Sequence, residues 1–375
     1  MLIAQQKAPS YDVLRPFKPA RTPGFPVYRD LVNELVQAAS VDAPNWEIAH
    51  VLGTCAGYAY AARPTIATIM ARMGLEENYC AEIAENVGAM FICSTAFLVQ
   101  SRCGRVVILC YRGTQPANLV NWMTDVDVEP EKVAFAIGGA GSFEIHSGFY
   151  RNVRATRFEV LNALRRALDG EPMVEGAPRP EHRLEALYIT GHSLGAAMAA
   201  LMGAMIATEQ AYQPLAAKLR AVYTFGQPMV GSRAFAEQCA QNPLLAATYA
   251  RFIHADDLVP ALPPSFSGDF AHFGPEYQYA ETRKDVWEWR RNREPIRQLS
   301  NPADIPLAFV SFLWRQVRRF RKVKSAYSIG DHGPQHYVAA LTEKNGVQSE
   351  FGDESPDALP APVPGPGPAP RVTAA

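Results

Sequence analysis

Leu187-Tyr188-Ile189-Thr190-Gly191-His192-Ser193-Leu194-Gly195-Ala196-Ala197-Met198-Ala199-Ala200-Leu201-Met202 is the stretch from which the rest of the chain can be read. Leu187–Thr190 is β-prone and Ala196–Met202 is alanine-rich, so a strand is predicted to turn straight into a helix with Ser193 at the corner. A serine at such a corner is pushed into the open, and the glycines two residues before and after it leave room for a crowded backbone. The helix starting there points its first N–H groups at any negative oxygen formed beside the serine. The pattern G-x-S-x-G is weak alone; its weight comes from the strand before it and the helix after it.

The chain has 375 residues and 48% hydrophobic content, enough to bury one large core. A formal net charge of −1 gives no reason to expect a nucleic-acid partner. The six cysteines form no CxxC pair and no zinc-like cluster with histidine. Cys93 and Cys110 sit in apolar runs, and reduced, buried thiols are expected, as suits a cytoplasmic protein. The N-terminus shows no basic region followed by an apolar stretch, so no secretory signal is visible. No run of 18 apolar residues exists, and no spanning helix is expected.

Organisation outside the corner follows from periodicity. The stretch to about Arg21 is proline-studded and reads as irregular. Val27–Ala39, Trp46–Ala61 and Pro64–Gly74 have helical spacing and precede any strand, so they are expected to form a helical cap or back wall. Phe91–Gln100 and Arg105–Tyr111 read as a hairpin joined by Ser101-Arg102-Cys103-Gly104. Gly148–Leu168 is a long amphipathic helix, Val222–Phe225 and Tyr249–His254 are strands, and a helix runs from Ser232 to about Gln241. Strands alternating with helices of this length predict a mostly parallel sheet covered on both faces. No internal repeat is present, and the Pro/Gly/Ala-rich end, 350–375, is expected to be a disordered tail. Residues 1–349 are read as a single domain with an insertion at 280–330.

A nucleophile needs a base and an acid. Ala255-Asp256-Asp257-Leu258-Val259-Pro260 follows the Tyr249–His254 strand, and the loop leaving a strand's C-terminal end is where α/β sheets gather catalysts. Either aspartate could act, and either could simply cap a turn. In Ser…Asp…His order the base must follow the acid, which leaves His272, His332 and His336. His332 sits on a Gly/Pro loop opening a helix and can swing between serine and carboxylate; His336 is the alternative, and His272 reads as a core histidine. One oxyanion donor should be the N–H of Leu194. The other should lie on the loop after an early strand, where Arg112-Gly113-Thr114 offers Thr114, unless that segment is only a turn.

With these residues in hand, the chain resembles the class-three lipases, α/β-hydrolases that include the fungal triacylglycerol lipases. The matching segments are Tyr111–Thr114 with Asn121–Asp125, Ile145–Phe149, Thr190–Ala196, Thr224–Gly231, His254–Pro264, and Asp331-His332 with Tyr337. The resemblance implies an α/β-hydrolase fold, Ser193 as nucleophile, Asp257 rather than Asp256 as acid, His332 as base, and Thr114 and Leu194 as the oxyanion hole. It also implies a lid contributed by the segment around Asn121-Trp122, and it calls for no metal or organic cofactor. The 280–330 insertion, the missing secretion signal and the cysteine placement depart from the secreted fungal pattern.

The expected activity is therefore hydrolysis of carboxylic esters, with acylglycerols ahead of soluble esters or phospholipids. A catalytically idle hydrolase fold serving as an interaction module is the rival from another class. Within the insertion, 307–324 places Val310, Leu313, Trp314, Val317 and Phe320 at helical spacing among six basic residues. Such a helix can lie peripherally on a lipid surface, or it can pack on the domain with a solvated basic face.

Overall fold

In a computed structural model of the protein, residues 2–7, 26–38, 44–87, 92–113, 130–135, 141–173, 177–300 and 328–347 are described. The segment around Asn121-Trp122, Thr114, the stretch 307–324 and the tail 350–375 lie outside them.

A nine-stranded sheet organises the molecule, in the order β1-β2-β3-β4-β7-β8-β10-β12-β13. Its strands are β1 (Leu2–Lys7), β2 (Tyr79–Val87), β3 (Ile92–Gln100), β4 (Val106–Tyr111), β7 (Ala186–His192), β8 (Leu219–Phe225), β10 (Tyr249–His254), β12 (Glu276–Arg283) and β13 (Val286–Asn292). The four pairings from β4 through β7, β8 and β10 to β12 are parallel. The flanking pairings on both sides are antiparallel, so a parallel centre carries antiparallel wings. A second, four-stranded sheet joins β5 (Pro130–Phe135), β6 (Gly141–His146), β9 (Gly231–Ser232) and β11 (Phe270–Ala271).

The central strands are buried on both faces, which is why they read as unbroken apolar runs rather than alternating ones. The alternation survives in where each side chain goes. Val107, Leu109, Leu187 and Ile189 join one core, with the helices α4 (Ser147–Leu168), α5 (Leu194–Thr208) and α6 (Arg233–Gln241). Their neighbours Val106, Ile108, Ala186 and Tyr188 join the other, with α1 (Leu31–Gln37), α2 (Trp46–Tyr58), α3 (Arg63–Met73) and α8 (Pro334–Asn345). The expected back wall of N-terminal helices is therefore one of the two layers. Between α6 and β10 the chain adds a short helix, α7 (Pro243–Thr248), capped by the Asn242 side chain.

α5 is apolar on every side, and all its residues from Leu194 to Ala207 are buried. A helix without a polar face belongs inside a protein, and its small residues let it approach the sheet closely. Among the described residues no single helix is long and apolar enough to cross a membrane.

The structure departs from the sequence reading in several places. Cys93, expected to be buried, is exposed. Leu2–Lys7, read as irregular, is a strand paired with β2. β2 itself went unread because Glu82 and Glu85 interrupt its apolar run, although Ala81 and Ile83 are fully buried. The start of the 280–330 insertion completes the β12–β13 hairpin, which extends the sheet past β10. β13 is exposed along most of its length and buries only Trp289, so it lacks the apolar pattern that marks a strand from sequence.

Candidate active site

Ser193 stands between β7 and α5 with φ 60° and ψ −128°. Left-handed backbone is costly for a non-glycine residue and persists only where the surroundings enforce it. Here the Ser193 N–H donates to the Phe225 carbonyl of β8 at 3.0 Å, and the helix packs behind. The turn is possible because a Cβ at Gly191 would collide with the Gly195 carbonyl, and one at Gly195 with the Tyr111 carbonyl. Leu194 is the first residue of α5, so its N–H has no acceptor within the helix.

Asp257 lies on the loop leaving β10 and is 1% exposed, whereas Asp256 is exposed. The Asp257 Oδ1 accepts from the Val259 N–H at 2.9 Å. Its Oδ2 accepts from Nδ1 of His332 at 2.8 Å and from the Tyr337 hydroxyl at 2.5 Å. Burial, then the Asp257 carboxylate, push the Tyr337 hydroxyl well above its ordinary pKa, so it stays a donor. The backbone reinforces the arrangement: Ser328 donates its N–H to the Asp256 carbonyl at 2.7 Å and bridges Asp257. The chain returning after residue 327 is thus stitched to the aspartate loop just before the histidine.

His332 ends a short 3₁₀ turn, Gly330–His332, that leads into α8. A carboxylate can only accept, so Nδ1 of His332 carries the proton and Nε2 presents a lone pair. That Nε2 and the Oγ of Ser193 are both buried with no hydrogen-bond partner. A hydroxyl and an oriented imidazole are therefore left unspent, which is what a nucleophile and its base would require.

Other histidines are engaged elsewhere. His336 is exposed and stacks on His254 at 5.3 Å. His272 holds the Pro260 carbonyl at 2.8 Å, and burial followed by the Arg251 charge pushes its pKa well down. His146 caps α4 and stacks on Phe149 at 3.7 Å. Tyr337 and His192 touch the Asp257–His332 pair, and the sequence reading gave neither a role. Both sat within matched segments, but nothing in their spacing says which side chain they reach. Among the described residues, no group of three His, Cys, Asp or Glu side chains could hold a metal ion.

Comparison with known proteins bears on the family and the fold. Residues 108–267 match the family Lipase (class 3), as the sequence resemblance led us to expect. A triacylglycerol lipase of Ricinus communis is 27% identical over 270 residues, covering 63% of this chain and 48% of its own length. One from Arabidopsis thaliana is 28% identical over 191 residues, covering 44% of this chain and 36% of its own. The chain thus spans less than half the length of these curated relatives. The Rhizomucor miehei lipase in its propeptide complex superposes with a TM-score of 0.51 at 19% identity, covering 88% of this chain and 93% of that one. The fold is that of the fungal lipases, an α/β-hydrolase.

Proposed function

We propose that this protein is a serine carboxylic-ester hydrolase that cleaves acylglycerols. The observation that carries the reading is the buried pairing of His332 Nδ1 with Asp257 at 2.8 Å, with Nε2 unspent in a site that also buries a strained Ser193. In this reading His332 takes the Ser193 proton as Oγ attacks the ester carbonyl, and Asp257 holds the ring and stabilises its cationic form. The Leu194 N–H, together with Thr114, stabilises the tetrahedral oxyanion. The alcohol leaves with the proton from His332, and water then hydrolyses the acyl-enzyme by the same route. The named activities of the matched plant relatives support acylglycerols as the substrate class.

The stretch 307–324 is proposed to contact lipid surfaces peripherally, on the strength of its aromatic and basic residues. None of the six cysteines is disulfide-bonded, which supports a reducing, cytoplasmic setting.

The test is a chain-length series of p-nitrophenyl esters beside an emulsified triglyceride, with Ser193 labelling by a fluorophosphonate. Turnover of the emulsion and labelling lost in Ser193→Ala are expected. Activity on short soluble esters alone would move the assignment to an esterase. Absence of both labelling and turnover would leave an interaction module.

A further inference from the structure

His192 precedes Ser193 in sequence, and its side chain turns into the protein. Its Nε2 lies 2.7 Å from the backbone carbonyl of His332, and its Nδ1 lies 2.7 Å from the Tyr60 hydroxyl. A carbonyl can only accept, so Nε2 must carry the hydrogen. In the neutral ring Nδ1 is then an acceptor, and the Tyr60 hydroxyl donates to it. Burial, then the nearby His332, hold the His192 pKa well below its ordinary value, which keeps the ring neutral. Neutrality matters because the two imidazoles sit 4.4 Å apart. A charged His192 would repel the imidazolium that His332 becomes when it takes the serine proton.

Tyr60 reaches a third element. A Cβ placed at Gly113 would collide with the Tyr60 hydroxyl and fall 2.5 Å from the His192 carbonyl. The backbone at Gly113 therefore passes against the Tyr60 side chain and the His192 main chain. His192 and Tyr60 thus join the serine turn, the histidine turn and the strand end beside them.

We infer that His192, fixed in its Nε2–H tautomer by Tyr60, is a positioning residue that sets the main chain of the base relative to the nucleophile. The inference rests on the hydrolase reading above. The Asp257 bond fixes the ring of His332 at Nδ1, but a ring held at one atom can still pivot. Holding the carbonyl of the same residue fixes the main chain from which the ring hangs, and the anchor is covalently adjacent to Ser193.

The test compares His192→Gln with His192→Asn. The glutamine amide nitrogen reaches about as far as Nε2 and keeps a donor for the carbonyl, whereas the shorter asparagine falls at the Nδ1 position. The two have similar polarity and neither can become charged, so a purely structural role would treat them alike. On a soluble ester we expect His192→Asn to lower kcat by about 10- to 100-fold with KM within about threefold, since small misplacements act on rate rather than binding. His192→Gln should recover most of the loss at an equal Tm. Tyr60→Phe should cost about 3- to 10-fold in kcat, by letting the imidazole adopt the other tautomer. A second readout needs no turnover: the low-field proton resonance of His332 Nδ1–H should persist in His192→Gln and be lost or shifted in His192→Asn. Equal kcat values and equal resonances in the two variants would overturn the inference. If the wild type neither labels nor hydrolyses, the activity assignment fails alone, and the proton resonances still decide the positioning role.

Discussion

Tyr337 donates its hydroxyl at 2.5 Å to the same Asp257 oxygen that holds Nδ1 of His332. The carboxylate is thereby shared between a group that must stay charged-compatible during turnover and one that never titrates in the working range. Tyr337→Phe removes a hydrogen bond to an ionised acceptor in a buried site, which is worth about 1.5–3 kcal/mol. Thermal unfolding should register that loss, and steady-state kinetics should show kcat reduced by about 3- to 30-fold. An unchanged kcat and Tm would mean that the Val259 N–H and His332 alone suffice to hold Asp257.

Ser193 is expected to separate activity from stability. Ser193→Ala should abolish ester hydrolysis by several orders of magnitude with the fold intact. Ser193→Gly should be equally inactive yet more stable than the alanine variant by about 1 kcal/mol, because glycine adopts φ 60° without the Cβ penalty. Denaturant melts of the two variants check this; an alanine variant as stable as the glycine one would show that the elbow stores no strain.

The two adjacent aspartates should behave oppositely. Asp257→Asn replaces one acceptor with a donor facing Nδ1 of His332 and should cost about 10⁴-fold in kcat. Asp256 contributes its backbone carbonyl to Ser328, which substitution leaves in place, so Asp256→Asn should stay within about threefold. Parallel losses in the two variants would leave the histidine without an identified partner.

The same contrast applies to the histidines at the head of α8. His332→Ala should match Ser193→Ala in severity, and His336→Ala, which removes only a ring stacked on His254, should be mild. The reverse ranking would move the base to position 336.

His50 gives a pH dependence unconnected with catalysis. It is fully buried, with the Tyr28 hydroxyl 3.0 Å from Nδ1 and the Thr342 hydroxyl 3.0 Å from Nε2. Burial lowers its pKa to about 4 from an ordinary value of 6.5. Because the unfolded chain takes up the proton first, stability is full above pH 6.5 and is lost as pH falls toward 4. The shift corresponds to roughly 3 kcal/mol across that window. In His50→Gln the slope of unfolding free energy against pH should be smaller by up to one proton. Identical slopes in urea titrations of the two proteins would show that His50 protonates without opposing the fold.

The amino-acid order by itself determined the serine turn and the parallel centre around it. Gly191, Ser193 and Gly195 between a β-prone run and an alanine-rich one, and the strand Tyr249–His254 ending at two aspartates, are local patterns whose physics acts within a few residues. The helices of both layers were legible for the same reason, since periodicity needs only one turn to repeat. The choice of Asp257 over Asp256 followed from resemblance alone. In the structure the loop turns one carboxylate inward and the other out, and spacing does not encode that difference between neighbours. Only the tertiary structure decided that Tyr337 shares Asp257 with His332, that His192 meets the His332 carbonyl across 140 positions of sequence, and that Tyr60 meets His192 across 132. The edge strand β13 was equally invisible, because its charged Glu288, Arg290 and Arg291 lie in water and leave Trp289 alone to mark a buried face. Short-range order is written in the chain, whereas contacts that close over long loops exist only once the packed sheet brings their ends together.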